Sequence, residues 1–297
     1  MSATLIAGSA HPQLADALAK ELGLALGRCS LEHFPDGECH VQLGCDVRGE
    51  VFIVQPLGNP VGEHVLELAL IADACRRAGA SRITAVTPYL GYARQDRRTA
   101  PGEALGAQVL GRLVGSAPLD AIVVVDLHQP AVEGCFPFPM VQLSAADALA
   151  DAVKPTLPKD AVVVAPDLGA MRLAQRFADR LGLPTAGVHK SRLGGAQVQA
   201  RGVIGDVKGK VPVIIDDMIT TGSTIEAAAH AVEAHGALGA PLVCTVHGVF
   251  AGDALARLGK LGIRGLVVTD SLPQRDEAVL ARKVVSIAPL LAKALKG

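Results

Sequence analysis

The chain has 297 residues, half of them apolar, with 28 basic against 29 acidic side chains and a net charge of −1. That is apolar material for one large core or two ordinary ones, and so balanced a charge implies no polyanion-binding face. Aromatics make up only 3%, with no Trp, so platforms for stacking single-stranded nucleic acid are scarce.

The six cysteines (Cys29, Cys39, Cys45, Cys75, Cys135, Cys244) form no CxxC pair. They read as scattered small hydrophobes in a reducing compartment, not as a disulfide framework or zinc site. No basic-plus-apolar leader opens the sequence, and no apolar run approaches about 18 residues. The expectation is a soluble, cytoplasmic protein with no membrane and no nucleic-acid partner.

In chain order, Thr4–Gly8 reads as a short strand and Pro12–Leu22 as a helix. A turn at Phe34-Pro35-Asp36-Gly37-Glu38 precedes an alternating strand, Cys39–Leu43. Then come strand Val51–Gln55, helix His64–Ala78 stopped by Gly79, strand Arg82–Pro88, helix Gly102–Val114 and strand Ala121–Asp126. The rhythm continues through strand Ala161–Ala165, helix Met171–Leu181, strand Thr185–His189, strand Val213–Asp217 and helix Ile225–His235. Strand Leu242–Val246, a helix near Ala254–Gly259, strand Gly265–Thr269 and a final helix Pro289–Lys296 follow. Alternating strands and helices predict an α/β fold with mainly parallel sheets flanked by helices.

Two stretches match in order. Val51–Gln55, helix, Gly-Ala turn and Ile83–Thr87 correspond to Ile214–Asp217, helix Ile225–Ala234, Gly-Ala turn and Leu242–Val246. This predicts a duplicated domain, 1–143 and 144–297, with the last helix packing back on the first. Gln55-Pro56 stands in the first copy where the second has Asp216-Asp217.

Asp216-Asp217-Met218-Ile219-Thr220-Thr221-Gly222-Ser223-Thr224 joins a β-branched apolar run to a helix. The first N–H groups of a helix lack internal partners, and its dipole favours negative charge, so this junction suits an anion. Thr220, Thr221, Ser223 and Thr224 add hydroxyl donors, and Gly222 lets backbone approach a phosphate. There is no Lys and no GxxxxGK[ST] spacing, so this is not a Walker A loop. Asp216 and Asp217 can accept from two vicinal sugar hydroxyls. Diol and phosphate on one element suggest ribose 5-phosphate, although most Asp-Asp pairs at a strand end merely precede a capped helix.

The whole string resembles the phosphoribosyl pyrophosphate (PRPP) loop of type I phosphoribosyltransferases and PRPP synthetases. Further strings extend the likeness over nearly the whole chain: Cys29 to Glu38, Val47-Arg48-Gly49, Asn59 to His64, Pro88-Tyr89-Leu90-Gly91-Tyr92-Ala93-Arg94-Gln95-Asp96-Arg97, Asp126-Leu127-His128 and Pro166-Asp167. Together they resemble the ribose-phosphate pyrophosphokinase family, two tandem phosphoribosyltransferase-like domains in one chain. The resemblance implies pyrophosphoryl transfer from ATP to the anomeric hydroxyl of ribose 5-phosphate, giving PRPP and AMP.

It also implies roles. Phe34, Asp36 and Glu38 would hold adenine, with Phe34 reaching from a neighbouring subunit of a homo-oligomer. Arg94, Gln95 and Asp96 would lie along ATP, while His128 and Asp167 would sit at Mg2+, His128 acting through a water. Lys190 and Arg192, in the Gly-rich segment His189-Lys190-Ser191-Arg192-Leu193-Gly194-Gly195, would be the catalytic cations of a lid. From the residues alone, Asp36-Gly37 also suits a plain hairpin turn, a strand-end His is usually structural, and paired basic residues are usually surface.

Three departures stand out. Many members carry an acid at Thr220; Leu168-Gly169-Ala170 follows Asp167 where a small or His residue and a Gly pair are common. The segment Arg98 to Glu103 lacks much of the basic character of phosphate-activated, ADP-inhibited members. Such control is therefore expected to be weak or absent. Two other readings remain open at this point, a non-catalytic regulatory homologue and a PRPP-using phosphoribosyltransferase.

Overall fold

The computed structural model describes residues 3–192, 199–274 and 280–296. Two compact α/β units emerge. One comprises the chain up to Ser144 with Ser271–Pro273 and the C-terminal stretch from Ser286; the other comprises Ala145–Asp270 with Gln274 to Val285. No helix among the described residues is long and apolar enough to cross a membrane.

The first unit runs β1 (Ala3–Ala7), α1 (Pro12–Leu22), the hairpin β2 (Cys29–His33) and β3 (Cys39–Leu43), and β4 (Gly49–Val54). It continues through α2 (Val61–Arg77), β5 (Ala80–Val86), α3 (Gly106–Gly115), β6 (Ala121–Val125) and β7 (Met140–Leu143). Its sheet, in the order β1-β4-β5-β6-β7, is parallel throughout. Val51, Ile53 and Val54 are fully buried, as expected of strands covered on both faces.

The second unit contains α4 (Ala146–Val153), β8 (Ala161–Ala165), α5 (Met171–Leu181), β9 (Thr185–Arg192), β10 (Gln199–Ile204) and β11 (Val211–Ile219). It ends with α6 (Ser223–Ala234), β12 (Leu242–Gly248), α7 (Ala254–Lys260), β13 (Gly265–Thr269) and β14 (Arg282–Val285). The sheet order is β10-β9-β8-β11-β12-β13-β14, with only β10 antiparallel to its neighbour. After the last strand the chain returns to the first unit as α8 (Ala288–Leu295), which packs on α1. Conversely α4, which follows β7, packs on α5 of the second unit. Each unit thus takes the helix that the other's last strand delivers.

Helices α1 and α5 are each 11 residues and end at left-handed glycines, Gly23 (φ +70°) and Gly182 (φ +69°). Helix α3 begins at Gly106, four residues later than the hydrophobic pattern suggests. Glu103 Oε2 instead accepts from the Thr99 and Ala100 amides at 2.6 and 3.0 Å, and Gly102 takes φ +84°. That carboxylate closes a turn where the helix would have started.

The duplication is also visible in where each sheet reverses its winding. In the second unit the chain leaves β8 for β9 on one side and reaches β11 on the other. In the first, Leu26 forms a parallel bridge to Leu5 of β1 on the side away from β4. Such switch points open a crevice at the carboxyl ends of the strands, where ligands of α/β folds bind.

In the first unit this crevice is filled. Glu67 of α2, only 5% exposed, accepts from the Ser9 amide and hydroxyl, both at 2.6 Å, and from Gln55 Nε2 at 2.8 Å. Gln55 Oε1 accepts in turn from the Ala10 amide at 3.1 Å. Its side chain lies so close to Gly8 that a Cβ there would collide with it. The chain's own carboxylate therefore satisfies the donors of the loop after β1 and of Gln55. Glu67→Ala, which strands the buried Gln55 amide group and removes the acceptor of two donors on the exposed Ser9, is expected to lower unfolding free energy by about 1–3 kcal/mol in urea titration. An unchanged midpoint would show that the crevice does not need its plug.

Candidate active site

The corresponding crevice of the second unit is built differently. Pairing between β8 and β11 stops at Val164 and Ile214, whereas β11 continues beside β12 to Ile219. The strand therefore runs two residues beyond the Asp pair, and Asp216 and Asp217 lie on an overhang, not at its end. Consecutive strand residues turn to opposite faces, and the two carboxyls are unequal: Asp216 is 8% exposed and Asp217 half-buried. Asp216 Oδ1 accepts from the Asp217 amide at 3.0 Å, and Asp217 Oδ1 from the Met218 amide at 3.0 Å.

Burial pushes the Asp216 carboxyl well above the usual carboxylate range, and the neighbouring Asp217 and Asp167 add to the shift. A carboxyl that keeps its proton can donate as well as accept.

Beyond the overhang, Thr220 O accepts from the Ala251 amide at 2.8 Å, which pins the loop to the segment after β12. Gly222, at φ +78°, opens α6, and no side chain caps the helix. The Thr221 and Ser223 hydroxyls lie 3.1 Å apart. Among the described residues Thr220 Oγ1, a buried atom, has no hydrogen-bond partner. A buried hydroxyl without a partner normally costs free energy, so its place beside uncapped helical amides suits an anion. The opposite wall is the loop after β8. There Asp167 Oδ1 accepts from the Gly169 and Ala170 amides at 2.9 and 3.2 Å, which fixes an otherwise exposed carboxylate.

Asp167, Asp216, Asp217, Thr220, Thr221, Gly222, Ser223 and Thr224 thus surround the carboxyl ends of the adjacent strands β8 and β11. Lys190 and Arg192 fall at the end of β9, whose backbone pairs with β10. Their side chains, like all of Leu193-Gly194-Gly195, lie outside the described residues.

In the first unit Phe34, Asp36 and Glu38 share the tip of the β2–β3 hairpin, all exposed. The Phe34 amide donates to Glu38 O at 2.8 Å, and Gly37 takes φ +92°. A hairpin turn accounts for that backbone. It does not account for Phe34, half exposed at 50%, with its ring 5.3 Å from that of His40. Arg94, Gln95 and Asp96 occupy the loop between β5 and α3, with Arg94 exposed and Asp96 half-buried. Gln95 holds the start of α3: its carbonyl accepts from the Ala107 amide at 3.1 Å, and its amide group lies against Gly106. His128 is exposed after β6 and follows Asp126, which adopts φ +37°.

No group of three or more His, Cys, Asp or Glu side chains among the described residues is placed to hold a metal alone. The uncrowded carboxylate of Asp167 still fits a hard cation. Mg2+ commonly takes one or two protein carboxylates and completes its shell with phosphate oxygens and water.

Two tandem α/β units with mainly parallel sheets flanked by helices define a chain of duplicated phosphoribosyltransferase-like domains. Residues 3–117 match the family profile described as the N-terminal domain of ribose phosphate pyrophosphokinase, and residues 145–254 match that of the phosphoribosyl transferase domain. Proteins named ribose-phosphate pyrophosphokinase from Helicobacter hepaticus and Caldanaerobacter subterraneus are 36% and 38% identical over 98% and 99% of this chain, in each case 94% of theirs. The crystal structure of phosphoribosylpyrophosphate synthetase from Mycobacterium smegmatis superposes with a TM-score of 0.91 at 37% identity, covering 100% of this chain and 98% of that one. The chain belongs to the ribose-phosphate pyrophosphokinase family.

The raised Asp216 carboxyl has a consequence for stability. The folded chain holds this proton to higher pH than the unfolded chain does. The associated stability is fully present below about pH 4 and is lost as pH rises through the raised folded value. In magnesium-free buffer, Asp216→Asn is therefore expected to melt above the wild type at about pH 8, the gap closing near pH 4. A gap that stays constant across that range would contradict the assignment.

Proposed function

We propose that this chain transfers the pyrophosphoryl group of ATP to the anomeric hydroxyl of ribose 5-phosphate, releasing AMP and forming PRPP. The observation that carries the proposal is the open crevice of the second unit, in a chain whose full length matches the family. The 5-phosphate lies on the uncapped amides of Gly222 to Thr224, where the Thr220 hydroxyl finds its missing partner. Asp217 and Asp216 take the ribose hydroxyls, orienting the anomeric oxygen for attack on the β-phosphorus of ATP. As that bond forms, the bond from the β-phosphorus to the oxygen of the α-phosphate breaks, and AMP leaves.

The first unit supplies the nucleotide side. Phe34 stacks adenine while Asp36 and Glu38 accept from its exocyclic amine. Arg94 offers a planar donor fork to phosphate, and Gln95 and Asp96 shape the same loop. Phe34 is exposed at a hairpin tip, which suits a base held between subunits of a homo-oligomer. Asp167, and by the family resemblance His128 through a water, would hold Mg2+, which would supply neutralisation of phosphate charge. Lys190 and Arg192 stand at alternate positions near the end of β9. From there they close over the transferring group, whose charge grows in the transition state. The reaction takes place in the cytoplasm.

The experiment is to mix the purified protein with ribose 5-phosphate, ATP and Mg2+ and quantify both products. AMP and PRPP in equal amounts is the expected result. AMP without PRPP, or neither product, would refute the proposal. Lys190→Ala and Arg192→Ala are each expected to lower kcat by about 10²-fold or more with modest change in the KM for ribose 5-phosphate. Unchanged turnover in both variants would remove the lid from the mechanism.

A further inference from the structure

One ion pair outside the residues assigned above leans on the sugar-phosphate loop. Arg257 of α7 places Nη1 2.7 Å from Glu226 Oε2 and Nη2 3.8 Å from Asp253 Oδ2. Glu226 stands in the first turn of α6, where its amide donates to Gly222 O at 3.0 Å. The Arg257 Cδ lies 3.5 Å from where a Cβ on Gly222 would sit. Arg257 Nε is buried with no hydrogen-bond partner. Arg257 and Glu226 side chains are each 34% exposed, so water does not fully screen the pair.

Glu226 helps an empty α6, because a carboxylate in the first turn complements the helix dipole. The same carboxylate opposes a phosphate dianion at that terminus. We propose that Arg257 is a positioning residue for the sugar-phosphate site: its guanidinium neutralises Glu226 and braces Gly222, so that the α6 terminus accepts a dianion. Arg257 touches no reacting atom. It acts through the carboxylate and the glycine, and this role rests on the reading that the loop holds ribose 5-phosphate.

Calorimetric titration with ribose 5-phosphate, in Mg2+ and a non-hydrolysable ATP analogue, tests it on four proteins. Arg257→Ala is expected to weaken binding about ten-fold at low salt and by less at high salt, as a single unneutralised charge would. Glu226→Gln, a change of nearly equal shape, is expected to tighten binding about three-fold, because an unpaired guanidinium then faces the phosphate. Arg257→Ala with Glu226→Gln is expected to return close to wild type.

A merely structural arginine would not produce tightening on loss of its partner. If Glu226→Gln fails to tighten binding, or the double variant binds as weakly as Arg257→Ala, the proposal is overturned. Glu226→Gln carries the test by itself should Arg257→Ala not fold. Wild-type protein that binds ribose 5-phosphate without making PRPP refutes the catalytic reading but not this one. Wild-type protein that does not bind it overturns both.

Discussion

The constraint on which the proposed site depends is electrostatic: a set of carboxylates would share one crevice with a phosphate dianion. Asp167, Asp216 and Asp217 stand at the ends of β8 and β11, immediately before the uncapped start of α6. Left in water such groups would repel a phosphate. Here each is dealt with locally. Burial among apolar strands raises the Asp216 carboxyl above the usual carboxylate range, Asp167 is tied to two backbone amides, and Glu226 is paired with Arg257. The positive end of α6 is left facing the crevice with an unsatisfied Thr220 hydroxyl beside it. A ligand with hydroxyls at one end and a phosphate at the other matches that division of charge, which neither a plain anion nor a plain sugar would.

The same architecture appears twice in the chain, and the contrast between copies shows how little separates a binding crevice from a structural one. Gln55 holds the β4 position that Asp216 holds on β11, each at the end of a buried run beside the switch point. In the first copy Gln55, Ser9 and Glu67 satisfy one another. In the second Asp216 is buried, Asp217 half-buried, and the Thr220 hydroxyl has no hydrogen-bond partner among the described residues. Thr87, just after β5, and Thr245, within β12, both bury hydroxyls without a hydrogen-bond partner among the described residues. The exchange of α4 and α8 between units follows from the duplication too, since each unit needs a helix over α1 or α5 and receives it from the other's last strand.

Much of this could be read in the sequence. Buried parallel strands leave near-continuous Val/Ile/Ala runs, so Ala161–Ala165 and Val51–Gln55 were legible, and Gly79, at φ +100°, marked the end of α2. The loop from Asp216 to Thr224 was legible because its length and composition are specific. What remained hidden depends on contacts distant in the chain. The late start of α3 reflects Glu103 capturing the Thr99 turn, a choice that helical periodicity does not reveal. Strands β2, β7, β10 and β14 are short or marginally patterned. Glu67 looks like any helix-surface glutamate until the fold brings Ser9 and Gln55 to it. Arg257 and Glu226 stand 31 residues apart, and no local spacing signals that they meet at the phosphate loop.

The central claim is that one crevice per chain is open to ribose 5-phosphate and the other is closed by Glu67. Binding stoichiometry tests it most directly: titrate the protein, with Mg2+ and a non-hydrolysable ATP analogue present, and count the sites for ribose 5-phosphate. One site per chain, lost when Asp216 and Asp217 are both replaced by Asn, is the predicted result. Two sites per chain, or a single site that survives that replacement, would contradict the account.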